Sequence, residues 1–424
     1  MSVPLRHRSA VLPLSASSPE ELHAFAEHYL GLLDGEPALE LDALCRTAAN
    51  RPHPPFRHAV VGADSTTLSE QLRQFAARRF TPPPSGGKPR VVFVYSGQGA
   101  QRPGMGLELL SSEPAFTRRF AECEALVRVE TGWSVLDVLE GRIPMDVERH
   151  IQPALWALQV SLTELWRDWG IEPHACIGHS MGEVAAAVAT GALSVTDGAA
   201  VICRRSALLG EVASGGEMWA VQLGEQQARR LIIDDDRVDI AAVNSTGFTT
   251  LSGPKEAMQN VIDPLRALGV FCRRLRAGVA SHSSCVDPIL PRLVDALSDV
   301  QPRTAGVPLY STVLARAALG EELTAAYWAA NLREPVRFAQ ACQAVLAGAE
   351  RTLFVEIGAH GTLGAALEDI AWPDLDRHRN VPSLRRDHAE LESMLISVGA
   401  AFSYGCDPRW DRVMADRGQA EAPV

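Results

Sequence analysis

The apolar and polar positions of the 424-residue chain follow two rhythms, and the places where the rhythm changes mark its parts. Residues 10–16 form a short apolar run. Ser17-Ser18-Pro19-Glu20-Glu21 then reads as a helix start with proline in the first turn. An amphipathic pattern continues to about Leu33. Residues 41–50 predict a second helix, 57–62 a strand and 65–79 a further helix. Thr81-Pro82-Pro83-Pro84-Ser85-Gly86-Gly87 cannot prolong a helix, because proline lacks an amide donor and clashes with the preceding turn. A small α/β unit is therefore predicted over residues 1–85.

Residues 91–95 are apolar, β-branched and followed by a glycine-rich turn, which predicts a buried strand. Residues 153–169 predict a helix, 174–178 a strand, 181–190 a helix directly behind it, and 197–212 another helix. Strand, turn and helix in that succession predict a parallel sheet. From Met218 to Arg276 the order becomes strand 218–223, helix 225–232, strands 239–244 and 248–252, helix 254–268 and strand 270–275. That is β-α-β-β-α-β, the order of a ferredoxin-like unit. It interrupts a larger domain, since residues 352–357 predict a late buried strand. The predicted fold class is α/β: a hydrolase-like large domain with a parallel sheet (residues 90–216 and 281–375), an inserted ferredoxin-like subdomain (217–280) and the N-terminal α/β unit. Beyond Pro373 the pattern turns polar and irregular, with one helix near 389–404, so residues 376–424 are predicted as a trailing segment.

Hydrophobic residues at 46% and charged ones at 21% leave enough apolar surface for several packed units. No apolar run reaches the ~18 residues that span a bilayer. Met1-Ser2-Val3-Pro4-Leu5-Arg6-His7-Arg8 lacks the apolar stretch of a signal peptide. No membrane partner and a cytoplasmic location are therefore expected. None of the eight cysteines forms a Cys-x-x-Cys pair, so neither a zinc site nor a redox motif is expected. The net charge of −11 argues against a nucleic-acid partner. The locally basic stretch from Arg377 to Arg386 reads as solvated surface.

Gly178-His179-Ser180-Met181-Gly182 fits G-x-S-x-G and falls between a predicted strand and helix, where that motif has to stand. A sharp turn there projects the hydroxyl away from the sheet, and the following helix N-terminus offers amides to an oxyanion. Ser180-x-x-Glu183 also fits a helix capping box, with Glu183 purely structural. A serine hydroxyl needs a base. The downstream candidates are His282, in Val279-Ala280-Ser281-His282-Ser283, then His360, His378 and His388.

Further motifs accompany the elbow in order: Gly97-Gln98-Gly99-Ala100-Gln101 before it, then Arg205-Ser206, Ala280-Ser281-His282, Tyr327-Trp328-x-x-Asn331-Leu332-Arg333-x-Pro335-Val336, and Phe354-Val355-Glu356-Ile357-Gly358. With these motifs the chain resembles, over almost its whole length, the acyltransferase domains of modular polyketide synthases and the related malonyl-CoA:acyl-carrier-protein transacylases. The resemblance implies Ser180 as nucleophile, His282 as base, and Asn331 orienting the histidine ring through its backbone carbonyl. It implies an oxyanion hole from the Gln98 and Met181 amides, and Arg205 binding the free carboxylate of a malonyl-type unit. A guanidinium fork suits a carboxylate; the bland alternative for Arg205 is a surface salt bridge. Residues 1–85 then resemble the linker that follows a ketosynthase, and 376–424 the segment that wraps back toward it.

Substrate choice is expected to involve Gln152, Met218, Trp219, Val279 and Ser281. Ser281 leaves more room than the phenylalanine of malonyl-selective relatives, which favours methylmalonyl-CoA, with malonyl-CoA and larger alkylmalonyl-CoA left open. Val279 would admit a larger α-substituent, and Trp219 either narrows the pocket or packs beneath it. The resemblance implies acyl-CoA and an acyl carrier protein as partners, with a ketosynthase where the domain sits in a megasynthase. CoA and phosphopantetheine act as substrate handles, and neither a metal nor a bound cofactor is called for. Two other readings remain open: a serine acyl-hydrolase with an editing role, and a non-catalytic scaffold that docks a carrier protein.

Overall fold

Strands β1 (Ala10–Ala16) and β2 (Phe56–Gly62) pair antiparallel at the start of the computed structural model, which describes residues 9–35, 40–78, 87–212, 216–233, 235–275 and 278–415. Alternation gives this ribbon two buried faces. Leu12, Leu14, Ala16 and Val60 pack against the helices Pro19–Gly35, Leu41–Ala49 and Ser65–Ala76. Val11 and Val61 turn the other way, into the main core beside Leu391, Leu395 and Val398 of the late helix Glu390–Ser403. These four helices and β2 match the sequence expectation within a few residues, and the apolar run over 10–16 proves to be a strand. Residues 1–8, the Pro/Gly boundary over 81–86, and Arg79 and Arg276 lie outside the described residues.

The large domain is built on six strands: β3 (Arg90–Tyr95), β4 (Ala175–Gly178), then, after four strands of the insertion, β9 (Leu309–Ser311), β10 (Arg316–Ala318), β11 (Thr352–Ile357) and β12 (His378–Pro382). Their order is β10-β9-β4-β3-β11-β12. All neighbours run parallel except the edge strand β10, which is antiparallel to β9. β3 shows why its sequence reads as one continuous apolar run. Val91, Phe93 and Tyr95 enter one core, with the helices Pro114–Thr131, Glu148–Asp168 and Val195–Glu211, while Val92 and Val94 enter a second core on the opposite face. Each fully buried side chain of this size contributes about 1.5–3 kcal/mol.

The polar, irregular reading beyond Pro373 needs correction. His378-Arg379-Asn380-Val381-Pro382 forms β12 and pairs along its length with β11. Only Val381 of its residues is buried, so an edge strand with four polar or proline positions leaves no apolar signature. The expected helix over 153–169 starts earlier, at Glu148, and carries Pro153 inside it.

The insertion comprises β5 (Gly216–Val221), β6 (Asp239–Val243), β7 (Thr249–Pro254) and β8 (Cys272–Arg274), with the helices Glu225–Leu231 and Lys255–Ala267 between them. The strand order is β6-β7-β5-β8, all antiparallel, as the ferredoxin-like expectation requires. It is joined to the large domain by backbone: the Val243 amide donates to Val336, and the Val336 amide donates to Ala241.

Candidate active site

β4 ends at Gly178, and the chain turns through His179, Ser180 and Met181 into the helix Gly182–Thr190. The turn is sharp enough to hold Ser180 at φ 55°, a region that non-glycine residues avoid. Two glycines make it possible. A Cβ at Gly178 would lie 2.1 Å from the Glu183 Cα, and one at Gly182 would lie 2.3 Å from the Tyr95 carbonyl oxygen. Ser180 does not cap the helix through its side chain: its Oγ lies 2.7 Å from the His282 Nε2.

His282 also has a positive φ, 59°. Its amide donates to the Leu332 carbonyl at 3.0 Å, and its Nδ1 lies 2.9 Å from the Glu334 carbonyl. A carbonyl can only accept, so Nδ1 carries the proton and Nε2 presents a lone pair to the Ser180 hydroxyl. Burial, helped by the Arg205 charge, pulls the imidazole down to about 3. The ring is therefore neutral and ready to accept a proton over the whole neutral range.

The expectation that Asn331 supplies the orienting carbonyl is corrected here. That carbonyl belongs to Glu334. Pro335 follows it, and a residue before proline is pushed out of the helical region. Glu334 accordingly adopts φ −76°, ψ 156° and ends the helix Ala325–Arg333, which frees its carbonyl for the histidine. The x-Pro step in the Asn-Leu-Arg-x-Pro motif was the signal for it. Asn331 instead donates its side-chain amide to Glu183 at 3.2 Å and to the Ser180 carbonyl at 3.4 Å.

Arg205 is 1% exposed on the helix Val195–Glu211. It donates to the Gln152 Oε1 at 2.6 Å, while its Nε has no partner among the described residues. Burial lowers it only to about 10, so it stays cationic near neutrality. Its neighbour Arg204 is the one spent on surface pairing, with Glu130 at 2.9 Å and Asp299 at 2.5 Å. Gln152 reaches on to Gln98 at 3.5 Å, linking the cation to the loop after β3. The Gln98 and Met181 amides donate to no acceptor among the described residues. Gln98 also lines an open cleft together with Asp146, Glu148 and Ile151 of the large domain and Arg274, Leu275 and Gly278 of the insertion.

Of the expected pocket residues, Trp219 faces away. It is 8% exposed within the core that the insertion shares with the large domain, with its Nε1–H on Glu217 at 2.9 Å and Arg266 over its ring. Met218 alternates to the opposite face of β5, the face where a Cβ on Gly216 would lie 2.5 Å from the Ala280 Cβ. Val279 is buried and Ser281 half-buried on the segment leading to His282. Among the described residues no group of three His, Cys, Asp or Glu side chains is placed to hold a metal, and no helix is long and apolar enough to cross a membrane.

Ser180 on a strand-to-helix turn, the His282 imidazole against it and the amides of Gln98 and Met181 form an arrangement that could carry out serine-based acyl transfer. Residues 92–408 match the acyl transferase domain family. The chain is 36% identical over 97% of its length to polyketide synthase GfsB of Streptomyces halstedii, and 36% identical over 95% to erythronolide synthase EryA2 of Saccharopolyspora erythraea. It spans 8% and 12% of those two proteins. Among solved structures it resembles the acyltransferase domain from module 8 of the salinomycin polyketide synthase, with a TM-score of 0.88 and 34% identity, covering 95% of this chain and 98% of that one. The acyltransferase domain of SpnD, in complex with 2-(pent-4-yn-1-yl)malonyl, gives a TM-score of 0.85 at 27% identity, covering 94% and 97%. The chain belongs to the acyltransferase domains of polyketide synthases.

Proposed function

We propose that this domain moves a malonyl-type extender unit from CoA to the phosphopantetheine thiol of an acyl carrier protein, through an ester on Ser180. The observation that carries the reading is Arg205, a buried cation with no carboxylate partner among the described residues, close enough to His282 to act on its charge. An unpaired buried charge is costly, and a ligand carboxylate relieves that cost by bidentate pairing. The SpnD domain holds a malonyl derivative, which supports the same ligand class here.

In the first half-reaction the Ser180 Oγ attacks the thioester carbonyl while its proton passes to the His282 Nε2. The oxyanion is taken by the Gln98 and Met181 amides. The carbon–sulfur bond then breaks, and the imidazolium returns the proton to the departing CoA thiolate. In the second half, the carrier thiol gives its proton to Nε2 and attacks the ester; the Ser180 oxygen leaves and recovers the proton. The Glu334 carbonyl keeps the ring in the productive tautomer through both halves, and burial of the His282 ring limits access of water to it.

Ser281, half-buried beside His282, leaves room for an α-substituent, so methylmalonyl-CoA is the favoured extender. A competition among malonyl-, methylmalonyl- and larger alkylmalonyl-CoA, read as the intact mass of the acyl-enzyme, tests it. Dominant methylmalonyl mass supports the assignment, and dominant malonyl mass overturns it. Release of free acid that outruns transfer to carrier protein would identify a hydrolase instead.

A further inference from the structure

Glu183 follows the nucleophile by three residues and is wholly buried. Its carboxyl receives the Tyr327 hydroxyl, the Thr312 hydroxyl at 2.8 Å and the Asn331 amide at 3.2 Å. The same Thr312 hydroxyl lies 3.0 Å from the Gly178 carbonyl, and the same Asn331 amide lies 3.4 Å from that of Ser180. The cluster thus grips the elbow from beneath. Ser311 extends it, 2.6 Å from the Tyr327 hydroxyl.

Tyr327 and Asn331 stand four residues apart on one face of the helix Ala325–Arg333. The far end of that helix supplies both carbonyls that hold His282, those of Leu332 and Glu334. One carboxyl therefore joins the turn that carries the serine to the element that carries the histidine. It is surrounded by Tyr327, Thr312, Ser311 and Asn331, and burial pushes it up to about 7.

We propose that Glu183 is a positioning residue that sets the Ser180–His282 contact by clamping the nucleophile turn to the helix Ala325–Arg333. Bulk packing does not account for the choice of residue. A buried carboxyl is expensive, and an apolar side chain of the same shape often fills such a site at no loss of stability. What the carboxyl adds is direction, because its bonds run to two separate elements whose spacing determines whether Nε2 reaches Oγ. A misplacement of about 1 Å there can cost on the order of a hundredfold in rate. The inference rests on Ser180 and His282 being the reacting pair.

The test uses the purified chain with Tyr327→Phe, Glu183→Gln and Glu183→Ala. Three quantities are followed: single-turnover acylation by extender-CoA, the dissociation constant for that CoA, and labelling of Ser180 by a fluorophosphonate, which needs no carboxylate site. Tyr327→Phe keeps the ring and removes one bond to Glu183. It should slow acylation about fivefold to tenfold, with affinity within about twofold. Fluorophosphonate labelling should slow by the same factor. Glu183→Ala should lose about a hundredfold, and Glu183→Gln, which keeps an oxygen acceptor, should recover about tenfold of that. If Glu183→Ala does not fold, the other two variants decide. Wild-type acylation by both, or a loss confined to affinity, overturns the clamp while leaving the Ser180–His282 reading intact. A wild-type chain that gains no acyl mass overturns that reading first.

Discussion

The Nε2 of His282 lies 2.7 Å from the Oγ of Ser180, and both residues hold a positive φ, 59° and 55°. Such a backbone costs about 1–2 kcal/mol per residue. Each of the two is held by its surroundings: the serine by close backbone approach at Gly178 and Gly182, the histidine by bonds to Leu332 and Glu334. Strain kept at two facing residues is the expected mark of a site that is prearranged for its reaction.

Ser180→Ala removes the one hydroxyl that hydrogen-bonds to Nε2 among the described residues. The variant should gain no acyl mass on incubation with extender-CoA, a loss of at least about 10³-fold, while retaining its melting temperature. Retained loading would place the nucleophile elsewhere.

The acid limb of the pH profile should lie far below that of an ordinary imidazole. Burial and the Arg205 charge hold His282 near 3, so kcat/KM for acylation should show no inflection at about 6.5. The stability consequence has a definite sign. Below the unfolded value of about 6.5 the unfolded chain binds a proton that the native ring refuses, so native stability falls as pH drops from there toward 3. A rate that halves near pH 6.5 would contradict the low value.

Arg205→Gln should cost malonyl-type substrates about 10–100-fold in kcat/KM, the worth of a charged hydrogen bond. Acetyl-CoA, which lacks the second carboxylate, should change by less than about threefold. Equal losses for both would remove Arg205 from substrate binding and leave it as a neighbour that tunes His282.

Gly182→Ala places a Cβ 2.3 Å from the Tyr95 carbonyl, inside the sheet-to-helix packing. The helix cannot retreat without dragging the elbow. The variant should lose more than about 3 kcal/mol of stability by denaturant titration, and the surviving folded fraction should acylate poorly. Gly191→Ala, at φ 80° in open space, should cost only about 1–2 kcal/mol and spare acylation.

How much was visible in the chain follows from which residues write their role in a local pattern. β3, β4 and β11 were legible because strands buried on both faces read as unbroken apolar runs. The insertion was legible because its turns separate short, well-formed elements. β9, β10 and β12 were not, since two have three residues and the third carries Arg379 and Asn380 at an open edge. At the site, Ser180, His282 and Arg205 were readable through motifs. The Glu334 carbonyl was missed because a backbone atom leaves no side-chain signature, and the two readings of Trp219 stayed open because strand parity depends on the register of β5, which the structure shows and the composition does not. Glu183 read as a capping residue because Ser-x-x-Glu fits that box; the box fails here because the serine oxygen is taken by His282.

The pairing of β12 with β11, and of the late helix with the underside of the first ribbon, bears on any attempt to cut this domain short or graft it onto another protein. A junction placed at residue 375 would strip β11 of a neighbour and bare Val11 and Val61. It would also sever Asp407 from Arg57 and Lys88, each 2.7 Å away. The portable cassette therefore begins ahead of Ala10 and closes after Val413, with the seams outside both.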